Sequence, residues 1–501
     1  MENIPISDPL PDKPALCFLA GKKEFLFGGV VLLLGWFVRN SFLFYGLNLG
    51  FALFSGLTTL STFIYLCCRG HKIRFYPAIL LLLSLILSAS FARSDDGFVK
   101  FVIFCFLIIS TNLGLCLMAG QTRFFQAGLS TLLDVPRSII LLGFGRLPAA
   151  FRGLFRGMRS SGASGKKSLS VILGLAIALP LVAILIPLLI SADAAFDALL
   201  GQLPKFHAGQ LLVSIFFGSA LSIFFYTRGT ALHYNPRTQP TPRTRRGISA
   251  LTINTTLLAV GIVYVVYLIS QLAYFSGGFL GILPAGYSLS EYARRGFFEL
   301  AWLCAINLLI IALSVGLVAK KGSAPVVTRL ICLFIGIVTL FLAASASAKM
   351  FLYIDAFGLT RLRVLTQVVI FFIGITIVLV CLWLFIPKLP YMKLVLVIAL
   401  LIGALTIWAD VDTVVARYNV TAYQSGKLET VDVYYLGELG KGAVPYIALL
   451  QEDDNRLISQ QAQDVLDNAY HETAEDFRDW NYVNHVAAEY IHLPSESVPT
   501  P

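Results

Sequence analysis

The chain has 501 residues, of which 57% are hydrophobic and only 13% are charged. Soluble globular proteins carry about 25% charged residues, so this composition excludes an ordinary soluble domain and predicts a polytopic membrane protein. The formal net charge of +10 does not indicate nucleic-acid binding, because the basic residues lie in short loops between apolar segments, as in the cytoplasmic loops of bacterial inner-membrane proteins.

Apolar segments long enough to cross a bilayer recur over the first four-fifths of the chain. The first follows Lys22 and Lys23 and has no small-residue cleavage site behind it, so it is expected to stay in the membrane as an anchor. Ten or twelve spans are also compatible with the pattern. The eleven predicted spans are 25–42, 47–68, 77–92, 101–118, 169–190, 211–226, 250–274, 296–318, 326–346, 364–384 and 394–408.

The charge distribution predicts the topology. With residues 1–24 in the cytoplasm, the basic segments 121–167 and 228–247 and the loop 69–74 fall on the cytoplasmic side, as the positive-inside rule requires. Residues 409–501 then lie on the outer face. This tail carries sixteen acidic and five basic residues, a net of −11 that leaves +21 on the rest of the chain.

The predicted fold is therefore all-α. It consists of a polytopic transmembrane helical bundle over residues 25–408 and a small, acidic, helical extramembrane domain over 409–501. In that domain apolar residues recur at spacings of three and four, and Pro445 marks the start of a helix.

One basic cytoplasmic stretch has a helical pattern. Arg152, Arg156 and Arg159 lie at i, i+4 and i+7, with Phe151 and Phe155 among the apolar residues between them. We expect this helix to lie along an anionic inner leaflet, and a binding site for a protein partner is the alternative.

The stretch SEYARRGFFEL places charged residues at the entrance of a predicted span. On a helix Glu291, Arg295 and Glu299 form one ladder, in which Arg295 pairs with an acid on each side. Glu299 lies about one turn inside the span, and an ionisable group at that depth is a candidate functional residue. The alternative is a structural ladder that fixes how the helix enters the bilayer.

The stretch KMFLYIDAFGLTRLRV places basic residues on the predicted outer side, where they are disfavoured. Arg361 and Arg363 have the geometry to hold an anionic headgroup or substrate in bidentate fashion. Internal pairing with Asp355, Glu299 or another outer acid is the favoured alternative.

Two further stretches lie at the predicted outer surface. SADAAFDALL contributes Asp193, and DVDTVVARYNV contributes Asp410, Asp412 and Arg417. Charges at a lipid interface need partners. We therefore predict one outer-face charged cluster, the candidate binding site, in which Asp193 or Arg417 lies near a group formed by Glu299, Asp355, Arg361 and Arg363, with Arg295 on the same ladder.

Other patterns are weak. His485, Glu489 and His492 share a helical face, but a solvated surface explains them better than zinc. Asn419 lies in a glycosylation sequon, which matters only in a glycosylating secretory pathway. There is no Walker loop, dinucleotide fingerprint, nucleophile elbow or HExxH motif. No catalytic residue, metal or cofactor is predicted.

Several of these motifs carry a resemblance to a known family. SADAAFDALL, SLSEYARRGFFELA, MFLYIDAFGLTRLRV and DVDTVVARYNV followed by VDVYYLGELGKGAVPYI resemble, in this order, the bacterial polytopic membrane proteins known as domain of unknown function 4153, related to domain 4173. The resemblance implies an inner-membrane location and a multi-span helical fold. It implies no activity, substrate or catalytic residue.

The sequence is compatible with three classes of function. We favour a non-enzymatic membrane regulator or scaffold that detects an envelope ligand or partner and relays to a cytoplasmic protein; membrane lipids are the expected partners in either leaflet. The first alternative is a transporter or lipid-handling protein, but no internal repeat is evident, and Asn254 and Asn307 are neutral residues that neighbouring helices can satisfy. An envelope lipid-modifying enzyme is the second, and it lacks a recognisable nucleophile.

Overall fold

The computed structural model describes residues 20–37, 46–120, 136, 138–160, 185, 208–234, 248–278, 297–318, 325–468 and 477–490. The regular elements of these ranges are helices, and their only bridged pair is Ile248 and Val318. The α-helices are α1 (Lys22–Phe37), α2 (Leu49–Cys68), α3 (Phe75–Ala89), α4 (Gly97–Met118), α5 (Leu147–Ser160), α6 (Ala208–Tyr234), α7 (Ala250–Gly278), α8 (Phe297–Leu317), α9 (Val326–Phe357), α10 (Arg361–Phe385), α11 (Tyr391–Ala409), α12 (Val411–Gln424), α13 (Val433–Glu438), α14 (Val444–Ala448), α15 (Arg456–Asp467) and α16 (Tyr482–Ala488).

Membrane-spanning capacity follows from length and apolarity. Within the described ranges seven helices are long and apolar enough to cross a bilayer: α2, α3 with its 3₁₀ extension, α4, α7, α9, α10 and α11. The predicted spans other than 169–190 each overlap a helix, and 169–190 lies outside the described residues except for residue 185. The all-helical, multi-pass character is thus confirmed, while the count of eleven stays a prediction.

The chain divides into two compact units. Unit 1 comprises Met1–Pro240 and Ala474–Asn481, and unit 2 comprises Thr241–Thr473 and Tyr482–Pro501. The predicted domain boundary between residues 408 and 409 falls inside unit 2 and stays a prediction.

In unit 1, small residues let α1 and α6 approach closely. A Cβ added to Gly218 would lie 2.5 Å from the carbonyl oxygen of Gly35. Ser222 on the same face donates its hydroxyl to the carbonyl of Val31 at 3.1 Å. Close backbone approach between small residues is how helices associate where no hydrophobic effect drives them together.

The helix α5 matches the predicted amphipathic stretch. Ala149 and Ala150 are buried, and Gly153 accepts a backbone hydrogen bond from Ala20 at 3.1 Å. Phe151 and Phe155 are exposed on the other side, with their ring centroids 6.3 Å apart. Contact of this face with lipid stays a prediction.

A segment near the C-terminus packs in unit 1 at one end of α2 and α3. Asn48, just before α2, donates to Asp479 at 2.6 Å, and the backbone nitrogen of Leu49 donates to the carbonyl of Trp480 at 3.3 Å. Asn481 donates to the carbonyl of Ser94, which follows α3, at 2.7 Å. These bonds place the segment on the side where α2 begins.

Unit 2 has two apolar cores. The first joins α7 to α10 around fully buried Ile311 and Leu342. Inside it, Asn307 accepts a hydrogen bond from Tyr264 at 2.6 Å and donates to Thr339 at 3.0 Å, so this amide is satisfied by neighbouring helices. The second core joins the C-terminal helices, α12 to α16, and Leu359 from the turn before α10 packs against it.

Candidate functional site

The turn between α9 and α10 is built around one glycine and one asparagine. Gly358 ends α9 with φ +74°, a conformation that favours glycine. Asn419 on α12 accepts a hydrogen bond from the backbone nitrogen of Leu359 at 2.7 Å and donates to the carbonyl of the same residue at 2.8 Å. The buried amide of Asn419 therefore bonds both backbone groups of Leu359, as a residue on a neighbouring β-strand would. The asparagine of the sequon thus has a structural role.

Arg361 and Asp412 form the central ion pair of the site. The Arg361 guanidinium donates from Nε and Nη2 to the two oxygens of Asp412, at 2.6 and 2.7 Å. The carboxylate is largely buried, with 11% of its side chain exposed. Tyr435 on α13 accepts from the backbone nitrogen of Arg361 at 2.8 Å. One arginine at the start of α10 is thus tied to both α12 and α13.

Arg363 stays close to its own turn. Its guanidinium donates to the carbonyl of Phe357 at 3.0 Å and also to that of Gly358, and it lies 4.1 Å above the ring of Tyr353. Carbonyls at a helix C-terminus attract a cation because the helix dipole is negative there. Arg363 therefore caps α9 and is stacked on an aromatic face.

Asp355 is bonded by a lysine that follows α12. Lys427 donates to Asp355 at 2.7 Å and to the hydroxyl of Tyr418 at 3.2 Å. The hydrogen bond to Asp355, followed by that to Tyr418, raises the pKa of the Lys427 ammonium. Both charges are exposed, so this contact adds little to stability.

A shallow groove of about 430 Å³, the α12 groove, runs along the exposed face of α12 and is lined by Val414, Arg417, Tyr418, Thr421, Ala422, Ser425 and Lys427. Arg417 is exposed and has no ion-pair partner among the described residues. The groove combines this guanidinium with two hydroxyl side chains and an aromatic ring. Such a set can bind an oxyanion.

The structure describes part of the predicted outer-face charged cluster. Arg361 pairs with Asp412, Asp355 pairs with Lys427, and Arg417 lines the α12 groove. Asp193, Arg295 and the side chain of Glu299 lie outside the described residues. Convergence of the whole cluster stays a prediction. Of the three residues on the shared helical face in the C-terminal tail, His485 and Glu489 are exposed, and His492 lies outside the described residues.

Unit 1 contains a buried carboxylate that the sequence motifs did not reveal. Glu24 is fully buried at the start of α1, where Arg69 pairs with it and Tyr65 donates to it at 3.0 Å. Arg69 also donates to Tyr234 at 2.8 Å. The only signal in the sequence was an acid placed between basic residues and the first span. Nothing there indicated its partners.

Beside this group lies a histidine pair. Nε2 of His71 and Nδ1 of His233 are 3.0 Å apart. His233 lies beyond the predicted span 211–226. Burial, aided by the nearby charge of Arg69 and by His71, lowers the pKa of His233 to about 4.

The fold and the site together define an all-helical, multi-pass membrane protein in which polar side chains bind helices to one another. The chain belongs to the family described as Domain of unknown function (DUF4153), which it matches over residues 26–450. This match confirms the resemblance seen in the motifs. Searches of curated proteins and of solved structures found no match.

Proposed function

We propose that this protein is a non-enzymatic membrane regulator or scaffold. In it the C-terminal helices hold a ligand or partner at the outer face and pass their position to the membrane helices. The bidentate pair of Arg361 with Asp412 carries this proposal. An arginine that suits an external oxyanion is here used to fix α12 onto the start of α10.

The contacts at this junction favour mechanical coupling. Asn419 holds both backbone groups of Leu359, and Tyr435 holds the first backbone nitrogen of α10. A displacement of α12 must therefore move the ends of α9 and α10 or break these bonds. Coupling between a ligand site and a second site requires an element that has two arrangements and a ligand that favours one of them. We propose α12 as this element.

The α12 groove is the proposed ligand surface. One of its two charged residues, Arg417, lies eight residues after the end of α11, on the helix that also carries Asp412 and Asn419. A ligand bound to the groove thus contacts the same rigid helix that is bonded to the membrane segment. That arrangement suits detection better than catalysis.

A lipid-handling role is the second candidate. One observation in unit 1 favours it: Arg228 is buried and donates to the amide of Asn112, with no acidic partner among the described residues.

The experiment compares variants in a strain that lacks the protein. Arg361→Gln breaks the junction, Arg417→Ala changes the groove, and Arg456→Ala on the exposed start of α15 is the matched control. The proposal expects the first two to accumulate normally and to reproduce the phenotype of the deletion, while the control complements it. Normal accumulation with loss of uptake or export of a defined solute would favour the transporter alternative and contradict the proposal.

The outer location is tested separately. The background chain carries serine at Cys17 and Cys68. Single cysteines then replace Gln460 or Gly97, which the proposal places outside, or Lys72, which it places in the cytoplasm. An impermeant maleimide applied to intact cells should label the first two and spare the third. Labelling of Lys72→Cys alone would reverse the topology and move the proposed ligand surface into the cytoplasm.

A further inference from the structure

Buried charges in the described part of the chain are almost all paired with the opposite charge. The buried charged residues there are Glu24, Lys100, Arg228 and Asp412. Glu24 is bonded by Arg69, Lys100 lies 3.7 Å from Asp95, and Asp412 is held by Arg361. Arg228, with 7% of its surface exposed, is the exception.

Arg228 is bonded only to a neutral amide among the described residues. Its Nη2 donates to Oδ1 of Asn112 at 2.6 Å, and Asn112 donates in turn to the hydroxyl of Ser138 at 2.5 Å. The Nε of Arg228 and the hydroxyl of Thr227 are buried without a hydrogen-bond partner there. A positive charge and two unsatisfied polar groups thus adjoin an apolar core that contains Cys116.

Such a charge needs compensation. A guanidinium does not lose its proton in proteins, and a buried ion without a counter-charge is strongly destabilising. The described acid that is buried in the same unit, Glu24, is already paired with Arg69. An anion from elsewhere is therefore required.

The free atoms of Arg228 indicate the chemistry of that anion. Nε and Nη2 form the edge of the guanidinium that holds two oxygens of one oxyanion in parallel. The Nε on this edge is vacant, while Nη2 still has a second hydrogen beside its bond to Asn112. Arg228 also lies two residues beyond the predicted span 211–226, which is the depth of lipid headgroups.

We infer that Arg228, with Asn112 and Ser138, binds a phosphate group. The phosphate belongs either to a lipid headgroup of the inner leaflet or to a free phosphate ion. This site is separate from the α12 groove and does not depend on the function proposed for it.

The test uses the full chain in a maltoside detergent and phosphate-free buffer. Inorganic phosphate and short-chain phosphatidylglycerol are added separately, and the melting temperature and bound mass by native mass spectrometry are recorded. Variants are Arg228→Gln, Arg228→Lys and the control Arg329→Gln. Arg329 is a matched control because its Nε also lacks a partner among the described residues, but its side chain is only half-buried and donates to the backbone carbonyl of Leu384.

A rise in melting temperature with one ligand supports the site, and the ligand that produces it identifies the source. Arg228→Gln should weaken the apparent Kd by roughly 10- to 100-fold, as loss of charge-assisted hydrogen bonds does. Arg228→Lys should weaken it less, and Arg329→Gln should bind like wild type.

Two results would overturn the inference. One is equal response of wild type and Arg228→Gln to both ligands. The other is a wild-type chain that binds neither ligand. Asp134→Asn, four residues before Ser138 in the sequence, should in that case lower the melting temperature as Arg228→Gln does. The counter-charge would then be a protein carboxylate. Should Arg228→Gln fail to accumulate, wild-type binding by mass and the Arg228→Lys affinity still decide.

Discussion

Breaking the pair of Arg361 and Asp412 should open the C-terminal helices without unfolding the membrane helices. Removing one partner of a fully buried pair costs about 3–5 kcal/mol, whereas exposed pairs contribute about 0–1 kcal/mol. The side chains of Asp412 and Arg361 are 11% and 34% exposed. We therefore expect Arg361→Gln and Asp412→Asn each to lower the free energy of opening α12 by about 2 kcal/mol.

Hydrogen exchange in the full chain, held in nanodiscs, measures this quantity directly. A loss of about 2 kcal/mol speeds exchange of the α12 amides about 30-fold, while amides of α2 in unit 1 should be unchanged. In the double variant the costs should be less than additive, with a coupling of about 1–2 kcal/mol. Arg456→Gln serves as the control. Additive costs, or equal acceleration in α2, would refute the assignment of this pair as the clamp.

Three further predictions concern single positions. Gly358→Ala should destabilise α12 by about 1–3 kcal/mol in the same exchange assay, because φ is +74° and the added Cβ would lie 2.6 Å from the amide oxygen of Asn419. The control Gly426→Ala has a similar φ of +73° but open space around it, so it should cost less. Equal costs would mean that the close contact is unimportant. Lys427→Met should leave the melting temperature unchanged, since its pair with Asp355 is exposed; a clear drop would contradict this. Burial lowers the pKa of His233 to about 4, so its contribution to stability should be present above pH 6.5 and lost as the pH falls from there towards 4. His233→Gln should therefore make the melting temperature depend less on pH in that interval. An unchanged slope would show that another group titrates.

The membrane helices could be predicted because their signal is local. Length and apolarity of a segment such as α10 determine that it can cross a bilayer, whatever its neighbours are. The helical spacing of Arg152 and Arg156 likewise predicted α5 from its own residues. In both cases the residues that determine the structure lie within about twenty-five positions of one another.

The partners in the site could not be predicted because they depend on distant residues. Arg361 and Asp412 are 51 positions apart, and Lys427 and Asp355 are 72 apart. The sequence contains several acids that could pair with Arg361, and nothing in their spacing selects Asp412. Asn419 attracted notice only as a sequon, because its two bonds to Leu359 require the folded turn.

Arg228 shows a different limit. The pattern of charge placed it at the start of a basic cytoplasmic segment, whereas α6 continues to Tyr234 and buries it. An arginine just beyond an apolar run has the same sequence signature whether it reaches into water or into the protein. Packing of α6 against its neighbours decides between them.

The segment around Trp480 shows the same dependence on distant residues. Asn481 donates to the carbonyl of Ser94 across 387 positions, and Asn48 donates to Asp479 across 431 positions. Nothing in the spacing of these residues indicated that they pair, because contacts at such separations are decided by packing in the folded chain.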